Sequence, residues 1–392
     1  MTLHAPGTEE AVAEIVAAAT APLAIEGNGT KRGMLRPVQA AATLTTRNLS
    51  GITLHRPTEL VISARAGTTL PDLEAALAEH DQHLIAEPPD LRSLMGVPDA
   101  PPPTIGGLVA ANLSGPRRIA GFALRDNVLG IRFVNGTGEV LRSGGRVHKN
   151  VTGLDLCKLL SGSHGTLGVI TEVTLKVGPR SEHTATLVVP VANEAAGIAA
   201  LSAGLTSPYG VTGAAMLPAG MAAAGIAGPA AFLRLEDFSE SVAYRMPRLR
   251  GLVGGGDVIG GDTSRALWRA IRDADPLSPA PEEAVWRLSL RPSEAPAAAR
   301  ALRAAGGRLL LDWGGGLVWV AGPATEATHA AVITAAAASG GTFALFRAPD
   351  SLRAAVSVIP DEVPPLAALT ARIKSALDPD RRLNPGRMRA GL

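Results

Sequence analysis

Thr104-Ile105-Gly106-Gly107-Leu108-Val109-Ala110-Ala111-Asn112-Leu113-Ser114-Gly115-Pro116-Arg117-Arg118 places a glycine pair, small side chains, an asparagine, another glycine and two arginines within fifteen positions. Glycine lets a backbone come close to a ligand or adopt positive φ. Successive N–H groups at a turn or helix start can hold an anion, and following arginines can add charge-assisted contacts. The same residues also suit a second reading, in which Gly106, Gly107, Ala110 and Ala111 allow tight helix packing and the arginines are surface charges. Two further small-residue loops flank the stretch: Glu26-Gly27-Asn28-Gly29-Thr30-Lys31 before it, and Gly162-Ser163-His164-Gly165-Thr166-Leu167-Gly168-Val169-Ile170 after it. Three such loops with hydroxyl and amide donors fit a large phosphate-containing cofactor better than a simple substrate.

Each flanking loop has its own chemistry. In the first, Gly27 and Gly29 can allow close approach to a pyrophosphate, and Lys31 or Arg32 can screen its charge. A plain glycine turn between strands accounts for the same residues. In the third, Ser163, Gly165, Thr166 and Gly168 offer amides and two hydroxyls ahead of a strand containing Ile170. Adjacent Ser163 and His164 do not make a nucleophile–base pair, because neighbouring side chains in an extended chain point apart and no supporting acid is evident. None of the loops matches the nucleotide-triphosphate P-loop or the G-x-G-x-x-G fingerprint. Asn150 can bond a cofactor or its own turn, Asp155 can cap a short helix, and Cys157 reads as a small buried hydrophobe.

Composition removes several alternatives. The chain has 392 residues, 46% hydrophobic and 18% charged, enough for two or three compact domains. Aromatic residues are only 3% and the net charge is +2, which argues against nucleic-acid binding. A single cysteine, Cys157, cannot form an intrachain disulfide or a cysteine-based cluster; any such cluster would belong to a partner. The eight histidines show no metal-ligand spacing, so no metal is expected. The N-terminus carries Glu9, Glu10 and Glu14 without a basic region, and the Ala-rich run 196–224 is broken by Gly, Pro, Ser and Thr. Both point to a cytoplasmic protein without a signal peptide or membrane span.

Helix signals stand at Thr8–Ala18, at Pro71 to His80 behind a Thr69 cap, and at Pro364–Leu377. Val128–Val134 and Val140–Arg142 read as a hairpin across Asn135-Gly136. After Gly178-Pro179-Arg180 the pattern changes to strands at 184–190, 231–235, 285–290, 308–313 and 317–321. Helices at 193–205, 264–273, 293–305 and 325–338 alternate with them, as in an antiparallel sheet covered by helices. Internal repetition in this half is weak. Gly254-Gly255-Gly256 and Gly260-Gly261 read as plain loop, since Asp257 and Asp262 would repel phosphate.

Together, Glu87-Pro88-Pro89, Thr104 to Gly107, Leu113 to Arg118, Arg125-Asp126-Asn127-Val128-Leu129-Gly130, Lys149-Asn150 through Gly168 to Glu172, and Leu383-Asn384-Pro385-Gly386-Arg387-Met388 resemble the flavin-binding superfamily of vanillyl-alcohol oxidase and p-cresol methylhydroxylase (PCMH). Within it, the chain is similar to the FAD-binding small flavoprotein subunit of bacterial glycolate oxidase. The resemblance implies an α+β fold: a two-lobed PCMH-type FAD-binding domain over 1–180, a smaller α+β cap domain with an antiparallel sheet over 181–363, and a C-terminal helix and tail, 364–392, returning to the FAD domain. It implies that Gly27, Asn28, Gly29, Thr30 and Lys31 line the pyrophosphate. Thr104, Gly106, Gly107, Ser114 and Gly115 would lie along the flavin and phosphates. Gly165, Thr166, Gly168 and Ile170, with Ser163 and Asn150 nearby, would hold the adenine or ribityl-phosphate end, and Asn384 would return near the flavin ring. Arg117, Arg118 or Arg125 would face flavin charge or a carboxylate. The first loop has no histidine, so non-covalent FAD is expected.

By the same resemblance the chain is a subunit of a complex that oxidises glycolate or a related 2-hydroxy acid. Its partners would be a larger FAD-linked catalytic subunit and an iron–sulphur subunit, which could hold it peripherally at the inner membrane. No acid–base pair is evident, so no catalytic residue is assigned. Two other readings remain open: a non-catalytic structural or electron-relay flavoprotein subunit, and a stand-alone flavoenzyme of another substrate class on the same fold.

Overall fold

The computed structural model describes residues 2–145 and 154–391. The chain forms two compact units: one of Met1–Ser114, Phe122–Pro179 and Asp361–Leu392, the other of Gly115–Gly121 and Arg180–Pro360.

The first unit contains two larger sheets and a two-stranded pair, Gln82–His83 with Gly178–Pro179. Strands β1 (Thr2–His4), β2 (Leu23–Glu26) and β3 (Ala42–Thr45) form a parallel sheet in the order β1-β3-β2. Helix α1 (Glu9–Ala18) joins β1 to β2; Thr8 caps it by accepting the Ala11 N–H at 3.2 Å, and Glu9 and Glu10 sit in its first turn, where the helix dipole favours negative charge. The second sheet is antiparallel and five-stranded. Its strands are β4 (Ile52–Arg56), β5 (Val61–Arg65), β6 (Val128–Val134), β7 (Val140–Gly144) and β8 (Val169–Lys176), in the order β4-β5-β8-β6-β7. The β6–β7 pair is the hairpin expected around Asn135-Gly136. Helix α2 (Leu70–Ala78), capped by Thr69, and the short α3 (Ile105–Ala110), capped by Thr104, follow β5. A further short helix, α4 (Leu156–Leu160), is capped by Asp155, whose Oδ1 accepts the Lys158 N–H at 3.1 Å.

One apolar cluster joins both sheets to the end of the chain: Val12 and Val16 of α1, Leu23 of β2, Leu44 of β3, Leu49, Val134 of β6, Val169 of β8 and Leu383 are all buried together. Burying side chains of this size contributes roughly 1.5–3 kcal/mol each. The C-terminal helix, Pro364–Leu377, is pinned by its own buried polar contact. Lys374 Nζ bonds Asp378 Oδ2 at 2.6 Å, the Thr166 carbonyl at 2.7 Å and the Leu383 carbonyl at 3.1 Å. Asp378 in turn accepts the N–H groups of Arg382 and Leu383 at 3.0 and 2.9 Å. Every donor and acceptor in this buried pair is therefore used, which is what lets a charge pair persist away from water.

The second unit is built on an eight-stranded antiparallel sheet, with a small two-stranded pair at Ala222–Ala223 and Ile226–Ala227. Its elements in chain order are β9 (His183–Pro190), α5 (Glu194–Thr206), β10 (Gly213–Leu217), β11 (Ala230–Asp237), α6 (Ser239–Leu252), β12 (Asp257–Gly260), α7 (Gly261–Arg272), β13 (Glu283–Ser289), α8 (Ala295–Ala304), β14 (Arg308–Asp312), β15 (Leu317–Pro323), α9 (Glu326–Ala338) and β16 (Thr342–Arg347). The strand order is β12-β9-β11-β10-β14-β15-β13-β16. Each half is a βαββαβ unit, with its strands ordered 4-1-3-2 and then 2-3-1-4. The two halves meet at one bridge, Met216 to Leu311. The repetition that is faint in sequence is thus explicit in topology.

One local expectation fails here, and one helix forms that the sequence pattern does not anticipate. The glycine-rich segment around Gly254–Gly261 is not plain loop: Asp257–Gly260 pairs with Ala185–Val188 of β9, and Gly261 opens α7. Helix α6 runs through Pro247, a residue that would ordinarily interrupt it, with Val242, Met246 and Leu249 buried on one side. Pairing and burial supplied from distant residues outweigh the local signal in both places. Among the described residues, no helix is long and apolar enough to cross a membrane.

Removing the ammonium in Lys374→Met leaves the Asp378 carboxylate buried without its counter-charge. Denaturant unfolding is expected to show a loss of about 3 kcal/mol or more; a loss below about 1 kcal/mol would contradict the role given to this pair.

Candidate cofactor site

Strand β2 ends at Glu26, and its chain continues into the first loop, Gly27 to Lys31. Glu26 is bound by the Arg32 guanidinium, which closes the loop on itself. Asn28 Nδ2 donates to the Pro102 carbonyl at 2.8 Å, linking the loop to the segment that leads into Thr104. Gly27 is required by close approach: a Cβ there would lie 2.2 Å from Thr104 Oγ1. Among the described residues, the amides of Asn28, Gly29, Thr30 and Lys31 have no hydrogen-bond acceptor. Lys31 Nζ makes one hydrogen bond, 3.3 Å to Thr30 Oγ1, out of the three an ammonium can donate. Burial pulls its pKa down to about 8 despite the nearby Asp90 carboxylate. The Cβ position of Gly107 is 3.5 Å from that same nitrogen and 3.3 Å from Thr104 Oγ1, so this part of the second loop lies directly beside the first.

The second and third loops are joined through backbone. Gly162 N–H donates to the Val109 carbonyl at 3.1 Å and His164 N–H to the Ala110 carbonyl at 2.8 Å, so the third loop docks on the last carbonyls of α3. Asn384 then ties the third loop to the first. Its Oδ1 accepts the Ile25 N–H at 2.8 Å, while its Nδ2 donates to the His164 carbonyl at 2.8 Å and the Ile25 carbonyl at 3.2 Å. A Cβ on Gly165 would lie 2.8 Å from Asn384 Nδ2. Arg387 secures the far side of the first loop: its guanidinium donates to the carbonyls of Lys31, Arg32 and Arg36. Arg387 lies within the C-terminal stretch that carried the resemblance, but its role as a clamp depends on a fold-back that the sequence does not display.

Several sequence-selected residues serve the protein itself. Gly106 packs on β5, where its Cβ would lie 2.6 Å from the Ala66 Cβ, so tight packing explains this glycine. Ser114 Oγ accepts the Leu124 N–H at 2.8 Å. The Ser163 and Thr166 hydroxyls donate to the carbonyls of Leu160 and Ser163 at 2.8 and 2.7 Å, so neither proton is free for a ligand. Gly168 makes room for Phe133, whose ring would be 2.6 Å from an added Cβ, and Ile170 is a buried strand residue. Gly115, Arg117 and Arg118 fall in the second unit. There the Gly115 carbonyl accepts the Trp313 Nε1–H at 3.0 Å, Arg117 pairs with Glu236 at 2.6 Å, and the Arg118 guanidinium lies 4.7 Å from the Trp313 ring centroid. Asn150 lies outside the described residues. Gly27 to Lys31, Thr104, Gly107, Gly165 and Asn384 are therefore the residues brought together in the first unit.

His164 sits among these loops in a left-handed conformation, with φ of 52°. Burial drives its imidazole pKa down to about 3, reinforced by the charges of Arg387 and Lys31. It is neutral at physiological pH and far too weak a base to take a proton from an alcohol. Burial raises the Cys157 thiol to about 11, consistent with a packed, unreactive side chain. Among the described residues, no group of three His, Cys, Asp or Glu side chains is placed to hold a metal ion.

Four successive amides without acceptors beside the Lys31 ammonium are a donor set of the kind that makes an anion nest and suits a pyrophosphate. The comparisons agree with that chemistry. Residues 2–144 match the FAD binding domain family. Over 372 residues the chain is 36% identical to the glycolate oxidase subunit GlcE of Escherichia coli (strain K12), covering 95% of this chain and 93% of that one. The chain belongs to the GlcE family. A shorter stretch of 85 residues is 41% identical to the glycolate oxidase subunit GlcD of Bacillus subtilis (strain 168), covering 22% of this chain and 18% of that one. Among solved structures, p-cresol methylhydroxylase with substrate bound matches 99% of this chain and 88% of that chain with a TM-score of 0.75 at 15% identity, a likeness of fold. The α+β, PCMH-type fold expected from sequence is borne out. This GlcE-family chain is an FAD-dependent oxidoreductase.

The neutral His164 makes stability pH-dependent. Its folded pKa of about 3 lies below the ordinary imidazole value of 6.5, so the unfolded chain binds a proton that the folded chain refuses. Its contribution is complete above pH 6.5 and is lost as pH falls toward 3, by up to about 1.4 kcal/mol per pH unit. His164→Asn, which tolerates the left-handed backbone, is expected to flatten that part of the slope in denaturant titrations run across the window. Parallel slopes for the two proteins would contradict the assignment.

Proposed function

We propose that this chain is the FAD-binding subunit of a complex that oxidises glycolate, or a closely related 2-hydroxy acid, to the 2-oxo acid. The observation that carries the reading is the anion nest, Asn28 to Lys31 beside the Lys31 ammonium, in a chain matching GlcE over nearly its whole length. When bound, FAD supplies hydride acceptance and onward electron transfer. The chain's own residues do the holding. The amides of Asn28 to Lys31 and the Lys31 ammonium bind pyrophosphate charge, Thr104 and Gly107 border that site, and Asn384 fixes the first and third loops relative to one another. The first loop contains no histidine, which supports non-covalent attachment. The likeness to GlcE and GlcD supports a multi-subunit assembly with a larger FAD-linked subunit. An iron–sulphur cluster would have to be housed by a partner, since one cysteine cannot ligate it. Attachment of that assembly to the membrane would come through such partners.

A second reading, that of an electron-relay subunit whose flavin never meets the substrate, is favoured by one observation. His164 of the third loop is held neutral and non-basic, and the Lys31 ammonium of the first loop is assigned to pyrophosphate charge, which leaves neither as a substrate base. The chain purified alone is expected to be yellow, to release its flavin on acid precipitation, and to lose visible flavin absorbance when glycolate is added without oxygen. Bleaching only after the partner subunits are restored would favour the relay reading. A colourless protein that takes up no FAD would contradict both.

A further inference from the structure

Arg287 is a partly exposed arginine of the second unit that has aromatic cover and, among the described residues, no ion pair. It lies on β13 between Trp286 and Leu288, both fully buried. Trp286 donates through Nε1 to His329 of α9 at 3.0 Å, so alternation along the strand places Arg287 on the sheet face opposite that helix. Its guanidinium carbon is 5.0 Å from the Trp313 ring centroid and 5.8 Å from that of Trp319. Its Nε is buried and has no hydrogen-bond partner, and among the described residues the side chain has no carboxylate ion pair.

The buried arginines Arg234, Arg347 and Arg353 of this unit are treated differently. Arg234 bonds Glu236 at 2.9 Å and the Thr212 carbonyl at 3.3 Å while lying over Trp268. Arg347 donates to the carbonyls of Ala280 and Pro281, and Arg353 to that of Ala348 and to Asp350. Arg287 has aromatic cover, a buried Nε without an acceptor, and a guanidinium only partly shielded from solvent. Indole faces attract a guanidinium face and leave its N–H groups open to an in-plane acceptor.

Two further observations converge on the same place. The Arg118 guanidinium lies 4.7 Å from the same Trp313 ring, so two cations share one indole. Burial and Arg118 together pull the Arg287 pKa down to about 10, with Asp312 opposing them. Trp313 itself is held in a left-handed conformation, φ 53°, by the Asp312 carboxylate at its N–H and the Gly115 carbonyl at its Nε1. A bulky residue kept in that region indicates surroundings that enforce its orientation. An exogenous anion would complete the Arg287 edge and relieve the repulsion from Arg118. A planar carboxylate matches the guanidinium fork, and the indoles border it with apolar surface that suits a small organic acid.

We propose that Arg287, with Arg118 and the Trp313 and Trp319 indoles, forms a binding site in the second unit for the carboxylate of a small 2-hydroxy or 2-oxo acid. The acid's class rests on the proposed function; the carboxylate site itself does not. The full-length FAD-loaded chain would be titrated with oxalate, which resists oxidation, and with neutral glycolamide, following tryptophan fluorescence. A saturable change with oxalate and none with glycolamide is expected. Arg287→Met should bind oxalate at least about tenfold more weakly, and Arg287→Lys should fall between it and the parent, having the charge without the fork. FAD retention and thermal midpoint establish that each variant is folded, and if the methionine variant does not fold, the lysine variant decides. Unchanged oxalate affinity in a folded variant, an equal response to glycolamide, or loss of FAD in place of oxalate would overturn the site. Arg287-dependent oxalate binding without flavin bleaching by glycolate would defeat the oxidation reading alone. Bleaching by glycolate at unchanged KM in Arg287→Met would defeat the carboxylate site alone.

Discussion

The Asn384 side-chain amide is the contact on which the cofactor site depends. A residue near the end of the chain satisfies the backbone of Ile25, where β2 delivers the first loop, and the carbonyl of His164 in the third. Both loops are short of regular hydrogen bonds, and a neutral amide with one acceptor and two donors serves them together. The Lys374–Asp378 pair fixes the returning helix, and Leu383 buries itself in the cluster shared by the two sheets. Placement of the anion nest is thus a property of the whole first unit, although its donors come from one loop.

That arrangement also explains the chemistry that is missing. Hydroxyls that look available in the sequence, Ser163 and Thr166, are spent on local carbonyls, and His164 is too strongly desolvated to act as a base. What remains is backbone donors, one ammonium and close-fitting glycine positions, which suit holding a cofactor more than moving a substrate proton. In the second unit the buried Arg234 is neutralised within the sheet, whereas the partly exposed Arg287 has a buried Nε without a partner.

Much of the first unit was legible because its signals are local. Thr8 and Thr69 each precede an expected helix and each caps it, and Asn135-Gly136 makes the hairpin turn. The three loops were recognisable by composition, but their separate duties were not. Gly106 answers to Ala66 and Gly168 to Phe133, contacts set by distant strands. The segment Gly115–Gly121 continues the main glycine motif in sequence yet groups with the second unit, so Arg117 and Arg118 acquire partners no local reading could supply. Asp257–Gly260 and the Pro247-containing helix were missed for a similar reason: tertiary pairing overrode glycine and proline punctuation. Arg287 is silent in sequence because its meaning lies in what does not pair with it.

Amide hydrogen exchange with and without FAD addresses the central claim most directly, since it reads each loop's backbone donors separately. If the loops form one cradle, adding FAD will slow exchange at Asn28 to Lys31 most strongly, and at Thr104 to Gly107 and Gly162 to Gly168 over the same range of FAD concentration. Protection confined to one loop, or appearing only at residues away from all three, would contradict it.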